Sequence, residues 1–562
     1  MNSRMRGGLL IAALVSLSMA RQPAAPLAPA DTIYYNGQIV TVDASARVAE
    51  AFAVRGDRIL LVGSNAEVRK LAGTGTRSVD LRQHTVVPGL IDNHNHQYHV
   101  ALLTLRGVDL QGVGSLAAML DRLRTAAAVQ PGRPVFTTTG WDAESFPEKR
   151  APTRAELDAI AGDRPVVVYE SRSRLHVNSA ALGALQVTRA TDAIDEVSIR
   201  KDASGEPTGV LEGSPGRVLR LSARVVPPPT IDEQKSIIAR IQAQQHAMGL
   251  TGIRELQVHA DVMRAYFELW RERRLTIRTS IGLEVSAGEE ERLAQMLGAW
   301  GVGPGFGDEW LRLDGIAEYN PGEVVREPYA DGDGKDTGTL RVAESRFRQG
   351  ILTMNRYGWR PAIHITGDRT LDIVLDAYEA ADRERSIVGR RWVVEHIPLV
   401  HPEQMRRMKR LGVVVSAQFQ PYSRAATMVR RLGRTRAERA VPMRELLDHG
   451  LVVSGGSDWP GAPNNPFVNM YYYVTRQTQQ LGAMGLAQKI TRQEALRVMT
   501  LNNAYLTFEE DMKGSLETGK LADFVILSAN LLEVPEEKIL GITALATYVG
   551  GHQVYARPGN VF

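Results

Sequence analysis

The middle of the chain alternates between short apolar runs, which are typical of buried strands, and longer amphipathic stretches, which are typical of helices. Eight apolar runs can be counted, over residues 86–91, 252–255, 275–283, 311–316, 361–365, 391–394, 412–417 and 451–455. Helical patterns lie between most of them. Strand–helix alternation with eight strands predicts an α/β fold built on a (β/α)8 barrel of the TIM type.

Both ends of the chain are patterned as short strands separated by turn signals. Residues 31–83 contain a turn at Asn36-Gly37, and residues 513–562 contain a hairpin candidate that turns at Gly550-Gly551. These two pieces predict one small β-sandwich domain formed from both termini.

A long stretch after the first strand has strand signals of its own, PVFTTTG and RPVVVYE, and predicts an inserted α/β cap domain. The predicted order of the chain is then a signal peptide over 1–20, a linker over 21–30, the first part of the β-sandwich over 31–83, the first barrel strand over 84–102, the cap over 103–229, the rest of the barrel over 230–512 and the second part of the β-sandwich over 513–562.

The first 20 residues are typical of an export signal. Arg4 and Arg6 precede an uncharged, largely apolar stretch, which ends in the small-x-small sequence Ser18-Met19-Ala20. That stretch, over residues 7–20, is shorter than the ~20 residues needed to span a bilayer. We therefore expect an exported protein, periplasmic or secreted, without stable membrane association.

Composition narrows the chemistry that this chain can perform. It has 562 residues, a net charge of +4, 12 His and no Cys. The lack of Cys excludes disulfides, Cys-ligated zinc, iron–sulfur clusters and a thiol nucleophile. The most basic run, over residues 430–439, alternates with apolar residues, so no nucleic-acid partner is expected. Any transition metal must be held by His and carboxylates.

Four histidines and one aspartate fall at the carboxyl ends of predicted strands. His94 and His96 follow the first strand, whereas His364, His396 and Asp458 end the fifth, sixth and eighth. In extended backbone, residues i and i+2 point to the same side, so the first pair can hold one ion. Because a barrel builds its active site at this end, we expect these residues to surround a divalent metal, Zn²⁺ or another borderline ion.

Longer motifs resemble the amidohydrolase superfamily, and specifically its YtcJ-type branch, which includes N-substituted formamide deformylase. The similarity extends from Asp31 to Tyr555 and rests on motifs in matching order, among them VVPGLIDNHNH, GWDAESFPEKRAPTRAELDAI, AIHITGDRTLDIVLDAYE, RWVVEHIPLVHPEQM, SGGSDWP and GSLETGKLADFVIL. The resemblance implies a metal-bearing barrel and hydrolysis of amide-like or C–N bonds. It also implies that the four histidines are metal ligands and that Asp458 is a ligand or the general base.

One position departs from that resemblance. Relatives in this branch commonly place a Lys at the end of the fourth strand, where its carbamylated form bridges two metals, but this chain has Ala317. Either the site holds a single ion, which we favour, or a carboxylate such as Glu318 or Glu212 helps to hold a second one.

Further residues are assigned roles in the expected reaction. Asp458 would carry a proton from the attacking water to the leaving nitrogen, and in a one-metal site His396 would donate to the oxyanion instead of ligating. Candidates for orienting the imidazoles are Glu395, Asp368 and Asp92. Candidates for contacting a small-molecule substrate are Tyr422, Gln420, Trp141 and His176.

Two other functions are open at this point. Similar one-metal barrels deaminate aminated heterocycles with a Glu three residues after the fifth-strand histidine, but here that position is Gly367, which disfavours a deaminase. An exported binding protein that kept the fold without the chemistry is the other alternative. The sequence indicates neither the substrate nor the oligomeric state, and a homo-oligomer is left open.

If residues 1–20 are a cleaved export signal, the mature protein should begin at Arg21. Expression of the full chain in a Gram-negative host, followed by intact-mass measurement and N-terminal sequencing, tests this expectation. Replacing Arg4 and Arg6 with Glu should leave the chain unprocessed, because the positive start is part of the signal. A wild-type protein that keeps its N-terminus would contradict the prediction.

Overall fold

The computed structural model describes residues 28–98, 107–110, 112–129, 131–137, 141–171, 173–226, 229–459, 464–560 and 562. The predicted signal peptide and most of the linker lie outside these residues. Within the described part of the chain, no helix combines the length and the apolar character needed to cross a membrane.

Eight parallel strands form two sheets of four. They are β1 Leu90–Asn95, β2 Leu250–Val258, β3 Arg278–Glu284, β4 Leu311–Ala317, β5 Ala362–Ile365, β6 Val393–His396, β7 Val414–Gln418 and β8 Val453–Gly456. β1 to β4 are neighbours in chain order, and so are β5 to β8. Parallel bridges join Ile316 to Pro361 and Asn95 to Trp459. The pairings therefore link all eight strands in a closed ring.

Helices occupy the connections between the ring strands and pack their apolar faces inward. The helix after β5, for example, buries Leu371, Val374, Leu375 and Tyr378 at helical spacing. The helices before β2 and between or after the ring strands are Ile231–Ala247, Ala260–Arg271, Glu290–Ala299, Glu344–Arg356, Asp368–Glu384, Pro402–Leu411, Gln420–Leu432, Arg434–Glu438, Met443–Asp448, Pro466–Thr475, Arg492–Val498 and Leu501–Leu506. The predicted strands two to eight coincide with β2 to β8 apart from their ends.

The first predicted strand, over residues 86–91, is wrong in one respect, because the structure divides it at Gly89. Thr85–Pro88 pairs in a different sheet, and the chain enters the ring only at Leu90. Gly89 lies against β2 at this break, and a Cβ there would come within 2.1 Å of Oγ1 of Thr251. A residue without a side chain is therefore needed where the chain passes from one sheet to the other.

Strands from both ends of the chain share one six-stranded sheet, in the order His552–Ala556, Ala544–Val549, Phe524–Leu527, Thr85–Pro88, Gln38–Val40 and Val48–Ala49. A four-stranded sheet has the order Arg58–Gly63, Ala51–Arg55, Thr32–Tyr35 and Arg77–Asp80. Tyr34 and Phe52 of the smaller sheet pack against Phe524, with ring centroids 5.0 and 4.9 Å away. Aromatic packing thus joins the two sheets face to face.

The segment between β1 and β2 forms a further six-stranded sheet, in the order Ala193–Ile194, Val197–Lys201, Pro207–Glu212, Arg174–Val177, Val166–Ser171 and Val135–Phe136. Its helices are Leu116–Val129, Arg154–Asp158, Ser179–Ala184 and Pro215–Ser222. Smaller elements elsewhere are the helix Asn65–Arg69, the 3₁₀ turns Ala143–Ser145, Leu486–Gln488 and Glu536–Gly541, and the paired strands Gly322–Val324 with Gly338–Leu340 and Gln477–Thr478 with Gly482–Ala483.

The first and last strands of the ring approach each other closely at Gly456. A Cβ at this position would lie 2.3 Å from Oδ1 of Asn93 and 2.6 Å from the backbone nitrogen of His94. Asp458 N–H donates to the carbonyl of His94 at 2.8 Å, just beyond that contact. The absence of a side chain at Gly456 is therefore what lets β8 lie against β1.

Gly456→Ala should lower the free energy of unfolding by about 1–3 kcal/mol, because the added methyl group has no space and must push the two strands apart. Urea unfolding of the purified protein measures the change. Gly183→Ala is the matched control, since a Cβ at Gly183 meets nothing within 4 Å. Equal stability of the Gly456→Ala variant and the wild type would contradict the close approach.

Candidate metal centre

A cavity of about 1140 Å³ lies at the carboxyl ends of the ring strands. Glu318, His364, His396 and Asp458 line it, together with residues of the segment inserted after β1, such as Trp141. The strand ends and the inserted segment therefore enclose a single space.

His94 and His96 lie at the end of β1 and are fully buried. Oδ1 of Asp458 lies 3.5 Å from Nε2 of His94 and 3.2 Å from Nε2 of His96. Nδ1 of His96 is 3.2 Å from the carbonyl oxygen of Leu256, a contact that orients its Nε2 toward Asp458. The first and eighth strands thus place two imidazoles and a carboxylate together.

Glu318, which follows β4, faces three imidazoles. Its Oε1 lies 3.0 Å from Nδ1 of His364, 3.0 Å from Nε2 of His396 and 3.3 Å from Nε2 of His94. Ala317, where the resemblance implied a Lys, is buried and offers no ligand atom. The candidate carboxylate ligand at this strand end is therefore supplied one residue later.

Each of the alternate ring strands β2, β4, β6 and β8 ends with a polar residue in left-handed backbone. These four are Gln257 at β2, Glu318 at β4, His396 at β6, where Ile397 is left-handed as well, and Asp458 at β8, with φ values of 57°, 54°, 68° and 54°. Such residues are uncommon and cluster at functional sites. Three of the four are candidate ligands, and Gln257 lines the same cavity.

The donor set fits a divalent metal ion. Three overlapping groups of ligand atoms lie within 4.8 Å of one another: His94, His396 and Asp458; His94, His96 and Glu318; and Glu318, His364 and His396. Nε2 of His94 is buried and makes no hydrogen bond of acceptable geometry, so a metal would satisfy it. Imidazole and carboxylate ligands suit Zn²⁺ and other borderline ions.

The surroundings of Asp458, Glu318 and His396 favour the protonation states that metal binding needs. Burial opposes ionisation of Asp458 and Glu318, but the facing histidines outweigh it and hold the pKa of both carboxyls well below the usual range. Burial, helped by the nearby His364, lowers the pKa of His396. The carboxylates are therefore ionised and His396 is neutral, as metal binding requires. Burial lowers the pKa of His94, but Glu395 and Glu318 outweigh it and raise that pKa to about 10, so a metal would have to displace a proton from this ring.

Two polar side chains orient the ligands. Glu395 accepts from Nδ1 of His94 through Oε2 at 2.8 Å. Burial opposes its ionisation, but Arg254 and His94 outweigh burial and lower its pKa to about 2. Nε2 of Gln420 lies 3.2 Å from Nδ1 of His396 and donates to Oδ2 of Asp458 at 3.0 Å.

Other predicted orienting residues have different partners. Asp92 accepts from Ser457 at 2.9 and 2.6 Å and from the backbone of His94, so it joins β1 to β8 and contacts no imidazole of the site. Asp368 binds Nε2 of His401 at 2.8 Å. Glu212 lies in the inserted segment, where Arg174 holds it at 2.5 Å, and it belongs to none of the three ligand groups of the described residues.

Among the predicted substrate contacts, Trp141 and Gln420 line the cavity. His176 lies behind the wall instead, where its Nε2 is 2.6 Å from Glu170, a lining residue. Tyr422 is buried, and its ring packs near those of Phe419 and Tyr471. The structure therefore brings Trp141 and Gln420 to the cavity surface and places the other two one layer away.

Sequence reasoning missed two residues that support the site. Arg254 in β2 donates to Oε1 of Glu395 at 2.6 Å, and the side chain of Gln418 accepts from the backbone N–H of His396 at 3.0 Å. The sequence does contain a signal for Arg254, a charged residue inside a strand predicted to be buried. That signal does not show which residue the arginine pairs with.

A closed ring of parallel strands, with imidazoles and carboxylates at the carboxyl ends, has the architecture and the donor set of a metal-dependent hydrolase. Comparison with known protein families agrees with this class: the model of the amidohydrolase family matches residues 77–555. The chain belongs to this family, in the branch represented by the relatives below.

Several curated relatives match nearly the whole chain. N-substituted formamide deformylase of Arthrobacter pascens is 28% identical, with 94% of this chain and 99% of the relative covered. Putative amidohydrolase YtcJ of Bacillus subtilis is 26% identical, with 93% and 99% covered. A solved structure, an uncharacterized metal-dependent hydrolase from Pyrococcus furiosus, has a TM-score of 0.70 at 26% identity and covers 89% of this chain and 100% of its own.

Glu318→Gln should weaken binding of Zn²⁺ by about 100-fold or more, since the substitution removes a charged oxygen that faces three imidazoles; even residues that only support a ligand contribute ~10–100-fold. Competition between the protein and a chelator measures the affinity. Glu212→Gln is the control, because that carboxylate pairs with Arg174 outside the site, and its affinity should equal that of the wild type. The same loss in both variants would contradict the central place of Glu318.

Proposed function

We propose that the protein hydrolyses an amide-type C–N bond of a small N-acyl or N-formyl amine, with a divalent metal held at the strand ends and Asp458 as the proton shuttle. The reaction class is supported by membership of the amidohydrolase family and by likeness to a deformylase over nearly the whole chain. We further propose that the strand ring and its helices form a (β/α)8 barrel, covered on its active side by the inserted segment.

The proposed metal is Zn²⁺, held by the candidate ligands His94, His96, His364, His396, Asp458 and Glu318. When bound, such an ion supplies Lewis-acid chemistry, because it polarises a carbonyl oxygen and makes water more acidic. Two of the three ligand groups share Glu318 and use different imidazole pairs. The sequence alone favoured a single ion, whereas this sharing supports a second one. Glu318 can supply a ligand oxygen to both groups in place of the Lys that the resemblance implies.

The position of Asp458 is the observation that carries the proposal. One of its oxygens faces the imidazoles of His94 and His96, and the other accepts from Gln420. Its side chain is 16% exposed, toward the cavity. Asp458 can therefore reach both the ligands and a substrate held above them.

Asp458 takes a proton from the attacking water as the water oxygen bonds to the carbonyl carbon. The same carboxyl then gives that proton to the nitrogen as the C–N bond breaks, so that an amine and a carboxylic acid are released. Gln420 restricts the carboxylate through its hydrogen bond, which keeps the transferring oxygen near the reacting atoms.

The structure adds an argument against the deaminase alternative. A deaminase of this kind would need a Glu at the position of Gly367. A Cβ there would lie 2.1 Å from the carbonyl oxygen of Val324, so the backbone leaves no room for any side chain. Amide hydrolysis needs no acid at this position.

We propose that the protein acts on a small molecule, with no nucleic-acid partner, and that it is exported from the cytoplasm. The basic run over residues 430–439 is engaged within the protein: Arg430 pairs with Asp331 at 2.9 Å and Arg431 with Glu323 at 3.3 Å. This supports the expectation that it does not serve nucleic acid. Trp141 and Glu170 of the inserted segment line the cavity and are proposed to contact the substrate.

A substrate screen tests the proposal. Purified protein with measured metal content is assayed on N-formyl and N-acyl amines, cyclic imides and aminated heterocycles. Release of amine and carboxylic acid is expected, and Asp458→Asn should reduce kcat by ~10²–10⁴ while the protein stays folded. Removal of the metal with a chelator should abolish turnover, and added Zn²⁺ should restore it.

Asp368→Asn is the matched control, because Asp368 lies near the strand ends but binds His401 instead of the site. Its activity should stay within several-fold of the wild type. Ammonia release from the heterocycles alone would replace the amidase proposal with a deaminase. No turnover by metal-loaded protein would instead favour a binding protein.

A further inference from the structure

We infer that Arg254 is a positioning residue for the metal centre: it clamps Glu395, and through Glu395 it fixes the ring of His94 with Nε2 turned toward the ion. This inference rests on the proposed metal site but not on the proposed substrate. Arg254 reaches neither a substrate nor the ion itself.

Glu395 is divided between two partners. Its Oε2 accepts from Nδ1 of His94 at 2.8 Å, whereas its Oε1 accepts from Nη1 of Arg254 at 2.6 Å. Both oxygens are thus engaged, and the carboxylate cannot turn without breaking one contact. Because Nδ1 carries the proton that it donates, Nε2 of His94 is left as the atom that can bind a metal.

Arg254 also contacts the strand that carries the first two histidines. The same Nη1 lies 3.3 Å from the carbonyl oxygen of Asn93, the residue before His94. One guanidinium therefore holds the backbone on one side of His94 and, through Glu395, the ring nitrogen on the other. This double contact restricts both the position and the orientation of the imidazole.

Arg254 is itself held by a second acidic side chain. Its Nε donates to Oδ2 of Asp314 at 2.7 Å, and the other oxygen of Asp314 accepts from Arg360. Arg360 also donates to the carbonyl of Leu506 at 2.7 Å. Four buried side chains of alternating charge, Glu395, Arg254, Asp314 and Arg360, therefore form a chain inside the strand ring.

Stability alone is a poor explanation for this chain. The interior of such a ring is ordinarily filled by branched apolar side chains, and replacing buried ion pairs with well-packed apolar residues is often neutral or stabilising. What a directed ionic chain provides, and apolar packing does not, is a fixed direction for each donor and acceptor. Its terminal carboxylate is the one that contacts His94.

The experiment compares Arg254 with a matched arginine on the neighbouring strand. Arg278 at the start of β3 is equally buried, at 1% exposure, and its Nε pairs with Asp523 at 2.6 Å. Arg254→Lys and Arg278→Lys should both lower the free energy of unfolding. Only Arg254→Lys should weaken binding of Zn²⁺, by about 10–100-fold, as for other residues that orient a metal ligand.

Metal affinity is measured with the metal alone, by chelator competition for Zn²⁺ and by the visible absorption of bound Co²⁺, whose intensity reports the geometry of the ligands. Glu395→Gln supplies the test of mechanism. If Arg254 acts through Glu395, adding Arg254→Lys to Glu395→Gln should reduce the affinity by less than it does in the wild type.

The inference is overturned if Arg254→Lys and Arg278→Lys bind Zn²⁺ equally well, or if the effects of Arg254→Lys and Glu395→Gln are fully additive. A wild-type protein that binds no metal would overturn the proposed function as well, so the two failures are distinguishable. If Arg254→Gln folds, its affinity for Zn²⁺ is compared in the same way. If it does not fold, the test rests on Arg254→Lys, which retains the charge.

Discussion

The contact between the first and last strands of the ring is the constraint on which the site depends. Asp458 N–H donates to the carbonyl of His94 at 2.8 Å, and His96 N–H donates to the carbonyl of Trp459 at 3.1 Å. These two bonds interleave the end of β1 with the residues after β8. Residues more than 350 positions apart in sequence thereby come to share one ion-sized space, and Gly456 permits the approach by having no side chain.

Electrostatic compensation is the second condition for the site. A buried carboxylate stays ionised only where cations or donors face it. Glu318 meets this condition through three imidazoles, and Glu395 through Arg254 and His94. The candidate metal centre and the ionic chain next to it are therefore parts of one charge arrangement. The site cannot be understood from its ligands alone.

The placement of the candidate ligand histidines at the strand ends could be predicted because it follows from local pattern. A run of apolar residues ends, a polar residue follows, and parallel strands direct all such ends to one face. The split of the first strand at Gly89 could not be predicted, since the neighbour that leaves no room for a side chain there, Thr251, is distant in sequence. For the same reason the role of Arg254 was missed: its partners Asp314 and Glu395 lie 60 and 141 positions away.

Glu318 shows what the sequence pattern can predict and what it cannot. The sequence offered it as one of two carboxylates that could replace the missing Lys, together with Glu212. Nothing local distinguished the two. The structure distinguishes them through the backbone, which turns left-handed at Glu318 just after β4, whereas Glu212 lies in the inserted segment beside Arg174.

The left-handed residues at alternate strand ends have a consequence for how this protein can change. Each such position costs on the order of 1–3 kcal/mol, which the surrounding structure must offset. Selection for heat resistance alone would favour glycine there, and at Glu318, His396 and Asp458 that gain would remove a candidate ligand. Gln257, at the end of β2, has the same backbone conformation and is not among the candidate ligands. Variants of a more heat-resistant protein should therefore accumulate at Gln257 before they reach the other three.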